Sequence, residues 1–114
     1  MATSPVDQLP LTEPVFHILL SLVDQDLHGY ALIRDIEDRT SGEVRLTAST
    51  LYGAMARMLD ASLIEELAAE PGLERRRRYR ITRLGRGLIR REAARLERAA
   101  RWARDKRLLS HGTR

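Results

Sequence analysis

The interval between apolar residues changes along this chain, and that change bounds the fold more tightly than any other feature. Val15, Ile18, Leu19 and Leu22 recur at helical spacing, as do Leu32, Ile33 and Ile36, and then Leu51, Met55, Met58, Leu59 and Leu63. Glu70-Pro71-Gly72 reads as a turn. Beyond it the period shortens to two, with Tyr79 and Ile81 on one face of an extended segment and Arg76, Arg78 and Arg80 on the other. From residue 83 the helical period returns. The pattern predicts three short helices, a hairpin of two short strands (63–68 and 77–82) and a long final helix. That is a mainly α fold with a small β-hairpin.

Cap residues place the helix ends. Thr12 precedes Glu13 and Pro14, an N-cap followed by an acid and a proline in the first turn, and the helix it opens runs to about Asp24. The second helix follows Leu27-His28-Gly29-Tyr30, shows Arg34, Asp35, Glu37 and Asp38 on its outer face, and ends near Ser41-Gly42. Thr47 caps the third helix, and Thr82 or Arg83 opens the last, which reaches about Leu109. Residues 1–10, polar with two prolines, form a loose arm. The organisation is then an arm (1–10), a compact head (11–82) and a C-terminal helix with its tail (83–114).

The chain has 114 residues, room for one domain, and 43% of them are hydrophobic, enough for a core. It has no cysteine, which excludes disulfides and thiolate zinc sites and fits a reducing cytoplasm. No secretory leader or membrane-length apolar run is visible. Charge is strongly divided. Residues 1–70 hold four arginines against twelve acids, and residues 71–114 hold sixteen basic residues against four acids. A basic C-terminal part points to a polyanionic partner, with a solvated arginine-rich helix as the plainer reading.

Ile89, Ala93, Leu96, Ala100 and Ala103 follow a four-three spacing, the seam of a helix that packs against another helix. Trp102, the one tryptophan, stands beside that seam. Two copies in a dimer could stack on a planar aromatic small molecule, or Trp102 could anchor the interface. His28, near His17 and His111 in neither spacing nor motif, reads as structural rather than as a metal ligand. No nucleophile–base pair, metal triad or phosphate-cradling glycine loop is present, so an enzyme is not expected, and no cofactor is.

Four segments carry a resemblance. His28-Gly29-Tyr30-Ala31-Leu32-Ile33 resembles the HGY-x-L-I start of the second helix in PadR-type transcription regulators. Thr47 to Met58, built around Thr50-Leu51-Tyr52, resembles their recognition helix. Leu63-Ile64-Glu65 is similar to their first wing strand, and Arg77 to Gly85 to their R-x-Y-x-L-T-x-x-G return strand. The likeness covers residues 11–90 in order, and the short tail resembles the compact subfamily with a single C-terminal helix. Gly53 departs from the pattern, standing where many members have proline.

The resemblance implies a winged helix-turn-helix with a C-terminal dimerisation helix. It also implies a homodimeric repressor on double-stranded DNA in the bacterial cytoplasm, at the nucleoid, with a pseudo-palindromic operator and release by a small molecule. Ser49, Thr50, Tyr52, Gly53 and Arg57 would face the major groove, unless the hydroxyls merely cap the helix and Tyr52 packs on a neighbour. Arg75, Arg76, Arg77 and Arg78 would lie along the phosphates or the minor groove, the alternative being a solvated charge run. The acidic first part leaves two other readings open, a winged-helix protein-interaction module and a non-specific nucleic-acid-binding protein.

Overall fold

The structure, a computed structural model, describes residues 9–68 and 77–110. The arm before Leu9, the Glu70-Pro71-Gly72 turn, Arg75, Arg76 and His111 lie outside the described residues. Four helices and three strands follow in the order α1 (Glu13–Leu22), β1 (Leu27–His28), α2 (Gly29–Arg39), α3 (Ala48–Asp60), β2 (Ile64–Glu66), β3 (Arg78–Ile81) and α4 (Arg83–Asp105).

Each helix starts where a side chain can satisfy a first-turn amide that has no intrahelical partner. The Thr12 hydroxyl accepts from the Val15 N–H at 3.5 Å, and Thr47 from that of Thr50 at 3.1 Å. Thr82, the cap of α4, accepts from Gly85 at 3.0 Å while its hydroxyl reaches the carbonyls of Ser62 and Leu63, tying the helix to the end of α3. His28 caps α2 through Nδ1, which accepts from the Ala31 N–H at 3.3 Å. Its role is therefore structural, and the accepting Nδ1 places the ring proton on Nε2.

Helices α1, α2 and α3 pack on one another, and the stripes read from the sequence close over a common core. Ile18, Leu19, Leu22, Leu32, Ile36, Leu51, Met55 and Met58 are all fully or almost fully buried. Each such side chain contributes about 1.5–3 kcal/mol of burial. Between α2 and α3 the chain turns at Ser41 and Gly42, both at positive φ (53° and 81°). Thr40 braces the turn. Its hydroxyl donates to the Ile36 carbonyl at 2.8 Å and accepts from the Val44 N–H at 3.0 Å.

The sheet differs from the two-stranded hairpin expected. It has three antiparallel strands in the order β1–β3–β2, with Leu27 opposite Tyr79 and Ile64 opposite Ile81. The added edge strand is two residues long, too short to show alternation. Along β3 burial alternates as expected, with Tyr79 and Ile81 inside and Arg78 and Arg80 exposed.

Two expectations at the last helix are corrected. It ends at Asp105 rather than near Leu109, because Arg107 turns to φ 63°. Ile89, expected on the dimer seam, is 5% exposed and belongs to the head's own core with Leu88 and Ile81. The face of α4 that carries Gly85, Leu88, Ile89 and Glu92 packs on the head, and none of the residues from Ala93 to Asp105 is buried.

Candidate nucleic-acid interface

The turn at Ser41-Gly42 sets α3 across α2, and the far side of α3 is left open. Leu51, Ala54, Met55 and Met58 point into the core, so Ser49, Thr50, Tyr52, Gly53, Ala56 and Arg57 are exposed. Thr50 is partly engaged: the Thr47 hydroxyl donates to its Oγ1 at 3.1 Å, which leaves the Thr50 hydroxyl hydrogen free to donate outward. Arg57 reaches back one turn along the helix. Its Nη1 lies 3.8 Å from where a Cβ at Gly53 would stand, so Gly53 leaves the guanidinium uncovered.

Tyr52 connects α3 to the rest of the head. It is 46% exposed, and its ring lies against Gly29 at the start of α2. Tyr52 thus packs on a neighbour through the hydroxyl end of its ring, while the residue as a whole stays almost half exposed. Tyr79 on β3 is close by. Burial pushes its phenol up from the usual tyrosine range, the nearby Glu66 carboxylate and Tyr52 push it further, and Arg77 pulls it back.

From Gly29 the surface continues through β1 to β3, where His28 stands opposite Arg78. The arginines there are exposed but paired. Arg77 Nη1 lies 2.9 Å from Glu66 Oε2. Asp26 Oδ2 takes both Arg80 at 3.4 Å and Arg78 at 3.9 Å. The geometry brings together α3, the N-terminus of α2 and the outer face of β3. It keeps apart the residues grouped by the heptad spacing, since Ile89 is in the core while Ala93 and Leu96 are exposed and Ala100 and Ala103 half-buried. Trp102, 64% exposed, stands two heptads beyond Leu88, on the stripe that passes Arg95.

Three residues on this surface were not singled out from sequence. Tyr30 is 71% exposed at the start of α2. Arg80 belongs with Arg78, and the alternation along the strand already placed it on that face. Asp26 had no sequence signal, because its partners are on a strand far along the chain. Among the described residues no cluster of His, Asp or Glu is placed to hold a metal ion, and no helix is long and apolar enough to cross a membrane.

The model of the transcriptional regulator PadR-like family matches residues 18–91, from within α1 to within α4. The chain belongs to the PadR-like family. As a member of a family of transcriptional regulators it is not an enzyme. The PadR-like fold extends over almost the whole chain. A transcriptional regulator from Clostridium thermocellum is 24% identical, covers 92% of this chain and 97% of its own, and superposes with a TM-score of 0.73. A PadR family transcription regulator from Clostridium difficile is 21% identical over 82% of this chain and 97% of its own, with a TM-score of 0.70. Bacillus subtilis PadR in complex with operator DNA is 19% identical over 71% of this chain and 46% of its own, with a TM-score of 0.60. No curated protein matches the chain.

Proposed function

We propose that this PadR-like chain is a sequence-specific repressor that binds a pseudo-palindromic operator as a homodimer. The observation that carries the reading is the continuous face formed by α3, the start of α2 and β3. Ser49, Thr50, Tyr52 and Arg57 are donors on the exposed face of one helix, the arrangement that reads base edges in a major groove. The N-terminus of α2 presents the positive end of its dipole beside them, suited to a phosphate. Arg77 and Arg78, with Arg75 and Arg76 before them in sequence, would follow the backbone or enter the minor groove. The Bacillus subtilis relative bound to operator DNA supports the same docking here.

In this reading the part of α4 beyond Glu92 pairs with a second copy through Ala93, Leu96, Ala100 and Ala103. Two-fold symmetry then sets the half-sites about one helical turn apart. Trp102 lies on the Leu88–Arg95 stripe rather than on the paired one, so it would border a planar aromatic ligand from outside the seam, and a ligand that favours one spacing of the heads would release the operator. The protein would act at the nucleoid of a bacterial cytoplasm.

Fluorescence anisotropy with the duplex from upstream of the protein's own gene, against a scrambled duplex over a salt series, tests the reading. The expected result is tight, salt-sensitive binding to the upstream duplex that saturates at one dimer per site. Equal binding to both duplexes would identify a non-specific nucleic-acid-binding protein. No binding at the lowest salt would favour a protein-interaction module built on the acidic head.

A further inference from the structure

The wing arginines of the described strand are already occupied by carboxylates of the same head. Asp26 comes from the segment between α1 and β1, and Glu66 from the end of β2, so β3 is flanked by an acid on each side. Glu66 takes Arg77 at 2.9 Å, and a single oxygen of Asp26 serves both Arg80 and Arg78 at 3.4 and 3.9 Å. All three arginine side chains are more than half exposed (58%, 52% and 55%), so each can swing away without unfolding the strand. A carboxylate and a phosphate offer a guanidinium the same paired acceptor oxygens. The acids therefore stand where a DNA phosphate would otherwise bind.

We propose that Asp26 and Glu66 are internal competitors for the wing arginines, which DNA phosphates must displace before the wing engages. The inference rests on the DNA-binding reading and deepens it. It explains how a wing rich in arginine can avoid holding every duplex tightly. Phosphate contacts carry no sequence information, so weakening them leaves more of the affinity to α3.

The test uses the full chain and a duplex of random sequence, with anisotropy read over a salt series. Asp26→Asn and Glu66→Gln keep the side-chain shape and remove the charge. Asp38→Asn, on the exposed side of α2, removes the same charge without touching a wing arginine. Exposed ion pairs are weak, so each paired variant is expected to bind about twofold to fivefold tighter than the parent. The double variant should multiply the gains, and Asp38→Asn should shift binding by less than either. Unchanged or weaker binding in both paired variants would overturn the proposal, since it would make the acids spectators or positioning groups. An equal gain in Asp38→Asn would also overturn it, as an effect of overall charge. Thermal melts confirm folding, and Glu66→Gln carries the test if Asp26→Asn melts early. A parent that binds no duplex at the lowest salt defeats the DNA-binding reading itself, an outcome read separately from the variants.

Discussion

The hydroxyl end of Tyr52 occupies the space that a Cβ at Gly29 would need, with Tyr52 Cζ 2.8 Å from that position. Glycine at the start of α2 is thus what lets the third helix lay its tyrosine over the second. The obstacle is the end of a half-exposed side chain, which can move. Gly29→Ala should change stability by less than about 1 kcal/mol, because the better helix former offsets the displaced ring. DNA binding should suffer far more. In the proposed docking Tyr52 donates to the duplex, and a hydrogen bond to a charged group is worth about 1.5–3 kcal/mol, so losing it should weaken upstream-duplex binding about tenfold or more. Tyr52→Phe should lose as much affinity with an unchanged urea midpoint. Parent-like binding by Gly29→Ala would show that the position of Tyr52 does not matter.

Gly85 has the opposite surroundings. A Cβ there would overlap the backbone carbonyl of Leu63 and stand 2.9 Å from Ile81 Cγ1, where α4 enters the core. Neither neighbour can give way, so Gly85→Ala should destabilise by about 1–3 kcal/mol, the usual cost of overpacking. Two residues on, a Cβ at Gly87 meets nothing within 4 Å. Gly87→Ala should instead stabilise by up to about 1 kcal/mol through helix propensity. Paired urea denaturations read both signs.

The helices were legible because burial and capping are local in sequence. Thr12, Thr47 and Thr82 cap the helices expected of them, and Leu51, Met55 and Met58 are buried as their spacing implied. The edge strand was not, because Leu27 and His28 become a strand through their pairing with Tyr79 and Arg78. Ile89 was assigned to the wrong surface for a related reason. The stripe that packs on the head and the stripe left open beyond it are continuous along α4, and spacing alone does not show where the helix leaves the core. The candidate site divides in the same way. Exposure of Ser49, Thr50, Gly53 and Arg57 follows from the helical period, whereas the pairing of Arg78 and Arg80 with Asp26 depends on tertiary proximity.

Glu92 fastens the start of the chain to α4. It is 2% exposed, accepts from the Leu11 N–H at 2.9 Å, and takes Arg95 Nε and Nη2 at 2.6 and 3.0 Å. The Arg95 hydrogen bond holds its carboxyl below the usual range against burial, with help from Leu11 and the Arg95 charge. A depressed folded-state pKa contributes stability that is complete above the unfolded value, about 4.3, and lost as pH falls through the folded one. Glu92→Gln should therefore melt below the parent by a constant margin near neutrality. The margin should shrink as the pH drops below about 4. A margin that stays constant into acid would show that the charge of Glu92 contributes nothing.

Arg39 links α1 to α2, donating to Ser21 Oγ and Asp35 at 2.8 Å each and to the His17 carbonyl at 3.2 Å. Its Nη2 is also 3.2 Å from His17 Nδ1, which must accept, since a guanidinium only donates. Burial and then the Arg39 charge lower the His17 pKa, and Glu13 opposes them. The folded state thus favours the neutral ring. Stability is whole above the unfolded value of about 6.5 and falls as pH drops through it toward the folded one. His17→Gln keeps an acceptor for Arg39 without titrating, so its melting temperature should vary less than the parent's between about pH 5 and 7.5. Identical profiles would remove His17 from the pH response.

Beyond Glu92, α4 extends through Asp105 with no buried residue, although Leu96 and Trp102 are 41% and 64% exposed. A helical segment of this length is marginal in water without a packed face. A second copy of the chain would provide one along the Ala93, Leu96, Ala100 and Ala103 stripe. Leu96→Glu should then convert a dimer into a monomer by light scattering, and leave the head folded because Leu96 lies outside the core. Arg98→Ala, on the opposite side of the helix, should remain dimeric. Two linked heads gain about a hundredfold or more in avidity over one. The monomer should accordingly lose about that factor on a duplex with two half-sites and little on a duplex with one. A Leu96→Glu protein that remains dimeric would move the interface off this stripe, and with it the expected spacing of the two recognition helices.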